Sequence, residues 1–176
     1  MAIKKSINIW IILGILIIAV WLLGSATQAG AETWKGRNCS HMIKVESIEV
    51  GDVPGHIVYV GELAGVYSCD DGSVATTSIK TMGELTKGSG KAQSYEVFTF
   101  EDGSTTWIKA QCTIRPSPDG KTGIWEGGKF EYIKGTGRFE GIQGSGTFTG
   151  KRLAATPGAG AQYLEDITIT YTLPSK

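Results

Sequence analysis

Beyond residue 31 the chain alternates apolar and polar residues in short runs, without the three-to-four spacing of an amphipathic helix. Residues 40–50 read as a strand that ends in the turn "GDVPG". Residues 56–69 form a longer one, with Ile57, Tyr59, Leu63, Tyr67 and Cys69 on one face and Val58, Val60 and Val66 on the other. After "DDGS" come residues 74–85, then "TKGSG", then 91–101. "EDGS" at 101–104 is a hairpin signal of the Asp-Gly type. In 105–114, Ile108, Ala110, Cys112 and Ile114 share a face and Trp107 takes the other. Residues 123–133 and 147–153 follow, then the loop "ATPGAGA" at 155–161. The last strand, 164–173, sets Ile167, Ile169, Tyr171 and Leu173 against Thr168, Thr170 and Thr172.

Eight strands at regular spacing with hairpin-length connections predict an all-β fold. A meander without long crossovers suits an eight-stranded antiparallel β-barrel, which has no open edges; a sandwich is the alternative. Several strands are apolar on both faces, so one set would line the interior and the other would need a loop or a neighbouring subunit as cover.

The glycine-rich run "IKGTGRFEGIQGSGTFTGK" at 133–151 invites a nucleotide reading, which its spacing excludes. Gly135, Gly137 and Gly141 are one residue too long for the dinucleotide fingerprint. Before Gly150-Lys151, Ser145 stands where a phosphate loop needs its first glycine, and Arg152 stands where it needs a hydroxyl. Turns and bends at barrel corners account for the glycines, with Phe139, Ile142 and Phe148 between them as core anchors.

The N-terminus differs in kind. Lys4 and Lys5 precede an apolar run over 9–23, and small residues end in Ala29-Gly30-Ala31. That is the pattern of an export signal cleaved after Ala31. The run is short for a membrane span, which needs roughly 20 apolar residues. An uncleaved anchor, touching the membrane only through residues 9–23, is the alternative. Either way, residues 32–176 form a single domain that is secreted or periplasmic, or else held at the membrane by its N-terminus. Without Lys4 and Lys5 the chain keeps fifteen basic and seventeen acidic side chains, a formal net charge of −2. The charges are scattered, which argues against a nucleic-acid partner.

All three cysteines lie in the exported part, where disulfides persist. Cys39 and Cys69 are symmetric about Pro54, so a simple hairpin there sets them opposite each other and predicts a Cys39–Cys69 disulfide with Cys112 free. Closing a loop of about 30 residues would stabilise the fold by roughly 3–4 kcal/mol. Three buried thiols are the other possibility.

The only histidines are His41 and His56, and Cys39-x-His41 lacks zinc-ligand spacing, so neither a metal nor a cofactor is expected. No G-x-S-x-G elbow supports a nucleophilic triad. Asn38-Cys39-Ser40 matches the glycosylation sequon, a short pattern that recurs by chance. Carboxylates are the better candidates for chemistry. Glu46 and Glu49 fall on opposite faces of the first strand, and Glu62 interrupts an apolar run. Any of them facing a barrel interior would hold its proton more tightly and act as an acid or base. Tyr59, Tyr67, Phe98, Phe100 and Trp107, with Cys112, are candidates to line a cavity for a small hydrophobic ligand; Tyr95 and Trp125 extend the aromatic set, and the same rings would serve equally as core.

The stretch 95–153 resembles the allene oxide cyclase barrel family, relatives of the dirigent proteins. "GTGRFEGIQGSGTFTG" is similar to that family's G-G-[ST]-G-x-[FY]-x-G-x-x-G signature, and "YEVFTFEDGS" to its aromatic strand ending in a glycine turn. The resemblance implies a lipocalin-like eight-stranded barrel with a hydrophobic cavity, often trimeric. It also implies a cofactor-free isomerase that closes a lipid or isoprenoid-like substrate into a ring. Glu46 in "VESIEVGDVP" is then the match for the family's first-strand carboxylate, although Ile48 stands where the family carries asparagine and Gln111 is the residue nearest its tyrosine position.

Three functions follow as expectations: a barrel that binds a hydrophobic molecule, a cyclase or isomerase, or a structural module whose interior is filled. A cavity holding a buried carboxylate favours the second, a cavity without ionisable groups the first. N-terminal sequencing of the mature protein should begin at Glu32; retention of residues 1–31 would instead identify an anchor.

Overall fold

The computed structural model describes residues 30–153 and 160–175. The predicted export segment lies outside them except for residues 30 and 31, as does the predicted loop up to residue 159. The rest is a closed antiparallel barrel of β1 (Glu32–Glu49), β2 (His56–Cys69), β3 (Val74–Thr86), β4 (Ser89–Phe100), β5 (Thr105–Pro116), β6 (Gly123–Gly135), β7 (Gln143–Arg152) and β8 (Gln162–Thr172). Each strand pairs with its sequence neighbour, and β1 pairs with β8 from Glu32↔Tyr171 to His41↔Gln162. The eight-stranded meander read from the alternation is therefore the observed fold.

Four strands begin earlier than their apolar pattern suggested, β4 and β8 by two residues and β1 and β7 by more. In β1, the residues facing inward from the start are Trp34, Gly36, Asn38, Ser40 and Met42. A glycine, an asparagine and a serine conceal the alternation. In β7 the added residues include the half-buried Gly146. A Cβ on Gly146 would lie 2.3 Å from both the Phe130 ring and the Thr168 carbonyl oxygen. The missing side chain is what lets the ring of β6 lie across β7.

The two barrel ends differ. The β6–β7 connection folds into a 3-10 turn over Gly137–Phe139, with Gly137 at φ 62°. It tucks Phe139, 1 % exposed, and Ile142 into the end where the β2–β3 and β4–β5 turns also lie. Phe139 meets Trp34 edge-on at 5.7 Å and Phe100 at 4.7 Å. Tyr67, Phe98, Phe130, Ile167, Ile169 and Tyr171 complete this plug. The glycine-rich run thus builds the closed end, with Phe139, Ile142 and Phe148 all buried.

The predicted Cys39–Cys69 disulfide is absent, and all three cysteines are free thiols. Cys39 pairs with Val66 and Cys69 with Gly36, three residues from the expected register. A bulge between Met42 and Lys44 and a hairpin centred nearer residue 53 cause the shift. The two sulfurs also point oppositely, Cys39 exposed and Cys69 buried.

Phe139→Ala should cost about 3–5 kcal/mol by opening a cavity in the plug. Gly146→Ala should cost about 1–3 kcal/mol by driving a methyl group into the Phe130 ring. Urea denaturation measures both, with unchanged midpoints as the contrary result.

Candidate functional site

The half of the barrel away from the plug is hollow. A cavity of about 610 Å³ opens toward the end that carries the β3–β4 and β5–β6 turns, with Lys87, Lys121 and Arg152 at its rim. Its wall is apolar and aromatic: Met42, Tyr59, Leu63, Ile79, Ala92, Ile114, Trp125 and Tyr163. Trp125 and Tyr163 stack edge-on at 5.4 Å. This is the volume and lining expected of a small-molecule site.

Two carboxyl groups face this cavity next to the plug. Glu96 on β4 precedes the plug residue Phe98, and Glu165 on β8 precedes Ile167; each is two positions away and therefore on the same face. Glu96 is buried and accepts a hydrogen bond from the Ser94 hydroxyl at 2.6 Å, its one side-chain partner among the described residues. Glu165 is half-buried and accepts from the Asn38 amide at 3.0 Å. Asn38, wholly buried, is fixed in turn by the Thr77 hydroxyl, which donates to its Oδ1 at 3.0 Å.

Burial raises Glu96 to about 8, reinforced by the negative charge of Glu165 and opposed by Ser94. Burial also raises Glu165, opposed by the Asn38 amide. The raised Glu96 carboxyl favours its protonated form, and the Asn38 amide opposes the rise at Glu165. Cys112 shares the cavity, where desolvation and then the two carboxylates push its thiol up to about 12. It is a neutral wall residue, not a nucleophile. The site therefore places two carboxyl groups, with that of Glu96 favoured in its protonated form, in an apolar chamber.

The sequence candidates separate by strand face. Tyr59 and Cys112 line the cavity. Tyr67, Phe98 and Phe100 belong to the plug. Trp107 lies outside the barrel beneath the Lys134 ammonium, 4.8 Å from its ring centre, and Tyr95 is also exposed. Glu62 is on the outer face, paired with Lys80 at 2.6 Å, and that partner lowers its pKa. Glu46 is exposed and paired with Lys44. The same bulge that shifts the cysteines turns Glu46 outward, because inward parity passes from Met42 to Val45 and Ser47. Glu49 lies at the exposed end of β1. The sequon asparagine Asn38 is an interior residue, beyond reach of glycosylation in the folded barrel.

Glu96 and Glu165 escaped the sequence reading, yet their signal was present. Glu96 has the parity of Phe98 and Phe100, and Glu165 that of Ile167, Ile169 and Tyr171. A carboxylate in phase with an apolar face is the pattern that locates them.

Glu96 is raised above its ordinary 4.5. Its stabilising contribution is thus fully present below that value and is lost as pH rises through about 8. His56, whose ring nitrogens lie against Asp52 and Glu84, is also raised, so it loses its contribution in the same direction as pH rises through its folded value. The difference between wild type and Glu96→Gln isolates the glutamate. Denaturation across pH should show the wild type losing stability relative to the variant as pH climbs through that window; parallel curves would remove the raised carboxyl.

No protein-family model matches the chain, and no curated protein matches it in sequence. Among solved structures it is similar to the pterocarpan synthase dirigent protein GePTS1, with TM-score 0.50 and 14% identity over 86% of this chain and 94% of that one. It is also similar to the pterocarpan synthase dirigent protein PsPTS1, with TM-score 0.44 and 12% identity over 85% of this chain and 99% of that one. At such identities the likeness is one of architecture: the chain folds as a dirigent-type eight-stranded barrel, the fold to which the allene oxide cyclase resemblance also pointed.

Proposed function

We propose that this protein binds a small, largely apolar molecule in its barrel cavity, outside the cytoplasm. The observation that carries the reading is the hollow half of the barrel, about 610 Å³ with apolar and aromatic walls. A barrel filled throughout by side chains would need no such void. Export rests on the pattern of residues 1–31, and because β1 begins at Glu32, cleavage after Ala31 leaves all eight strands whole. Exposed Ile48, Val58, Val60 and Met82 on the outer face of β1–β3 support a second copy of the chain as cover.

A second reading, cofactor-free isomerisation or ring closure, is favoured by the carboxyl pair specifically. Glu96 would give its proton to an oxygen of the bound molecule while Glu165 takes one from carbon, leaving the product isomeric with the substrate. The chamber would hold the reacting atoms together and exclude water.

Native mass spectrometry of protein purified from its own host should show a co-purifying small molecule. Ala92→Trp, which fills the cavity, should abolish that adduct and weaken a neutral fluorescent probe such as phenylnaphthylamine at least about tenfold. Undiminished binding by the filled variant would refute the cavity site. For the second reading, Glu96→Gln should abolish turnover of the identified ligand while leaving its affinity within about threefold.

A further inference from the structure

The cavity-binding reading leaves the chemistry of the ligand open, and the charge layout of the chamber narrows it. Among the described residues lining the cavity, the charged side chains are Glu96 and Glu165 at the floor and Lys87, Lys121 and Arg152 at the rim. The rim cations are exposed, so solvent and salt screen them over about 8 Å at physiological ionic strength. The floor carboxyls are buried at Glu96 and half-buried at Glu165, where a charge interaction is stronger than at the rim. The floor therefore decides which ligand charge is favoured.

No cation within the protein answers that floor. Glu96 is held by a hydroxyl and Glu165 by an amide, and neither partner neutralises charge. The salt bridges of the described residues all lie elsewhere, most of them on the outer surface. Tyr59, Trp125 and Tyr163, whose ring faces attract cations, line the same cavity. A pair of carboxyl groups with oriented hydrogen bonds but no counter-ion, facing an apolar void edged with aromatic rings, is complementary to one kind of molecule.

We infer that the cavity takes a lipophilic amine, bound as its ammonium with the nitrogen at Glu165 and Glu96 and the apolar body along Leu63, Ile79 and Trp125. A neutral ligand would satisfy the Glu96 proton but leave Glu165 without a counter-charge. A carboxylate ligand would have to keep its head at the screened rim and press its apolar end against the floor charge. The ammonium alone pairs the buried charge, and it also favours release of the proton on Glu96, so its affinity grows as pH rises.

The test uses one apolar body with three head groups. Naphthylmethylamine, naphthylmethanol and naphthylacetate are titrated calorimetrically into the full barrel. At neutral pH the amine should bind at least about tenfold more tightly than the alcohol, the scale of one charge-assisted hydrogen bond, and the acetate most weakly. Amine affinity should increase from about pH 6 to about pH 8, and Glu165→Gln should remove the preference over the alcohol. Glu96→Gln should keep the preference but lose the pH dependence, which preserves the test if the Glu165 variant does not fold. Alcohol or acetate binding as tightly as the amine overturns this inference while leaving the cavity reading intact. Binding of none of the three overturns both.

Discussion

The pairing of β1 with β8 is the contact on which everything else depends. Ten residue pairs, Glu32↔Tyr171 through His41↔Gln162, turn an eight-stranded ribbon into a tube. Only a tube has an inside, and only an inside separates the alternating faces of each strand into water and vacancy. The same seam fixes the floor, because Asn38 of β1 and Glu165 of β8 are cross-strand partners and their side chains hydrogen-bond across it. Opening the seam would return Glu165 to water and leave Glu96 without the neighbouring charge that helps keep it protonated.

Within that tube, volume is distributed unevenly along the axis. Toward one end, rings meet in the space left by glycines, and Phe139 from the β6–β7 connection caps the stack. Toward the other, Ala92, Leu63 and Ile79 are among the residues that line the open cavity. The carboxyl pair lies where the two regimes meet. There it is dry enough to be perturbed and near enough to the void to touch a guest. Moving Glu96 two residues along β4 toward Phe98 would bury it in packed rings; moving it the other way would return it toward solvent.

Much of this was legible in the sequence. Alternation in β2, β5 and β8 sorted the side chains into the two sets that the barrel places inside and outside, without saying which was which, and the glycine run marked barrel corners instead of a phosphate loop. What the pattern could not show was the single extra residue between Met42 and Lys44. A bulge changes no composition and breaks no alternation that the eye can follow, yet it reverses every side chain beyond it. That one residue moved Glu46 from the interior to the surface and contributed to separating Cys39 from Cys69. Glu96 and Glu165 were missed for a different reason. Apolar members define a strand's face most visibly, and an acid in phase with them leaves no mark of its own in the alternation.

The plug at the far end makes the chamber a dead end. On the proposed binding role, a guest that entered past Lys87, Lys121 and Arg152 would leave by the same route. Exchange would then be sequential. A retained product would block its own successor, and the residence time of the occupant would set the ceiling on throughput whatever the speed of events at the floor. Such a geometry suits a molecule that is carried or converted one at a time far better than one that must stream through.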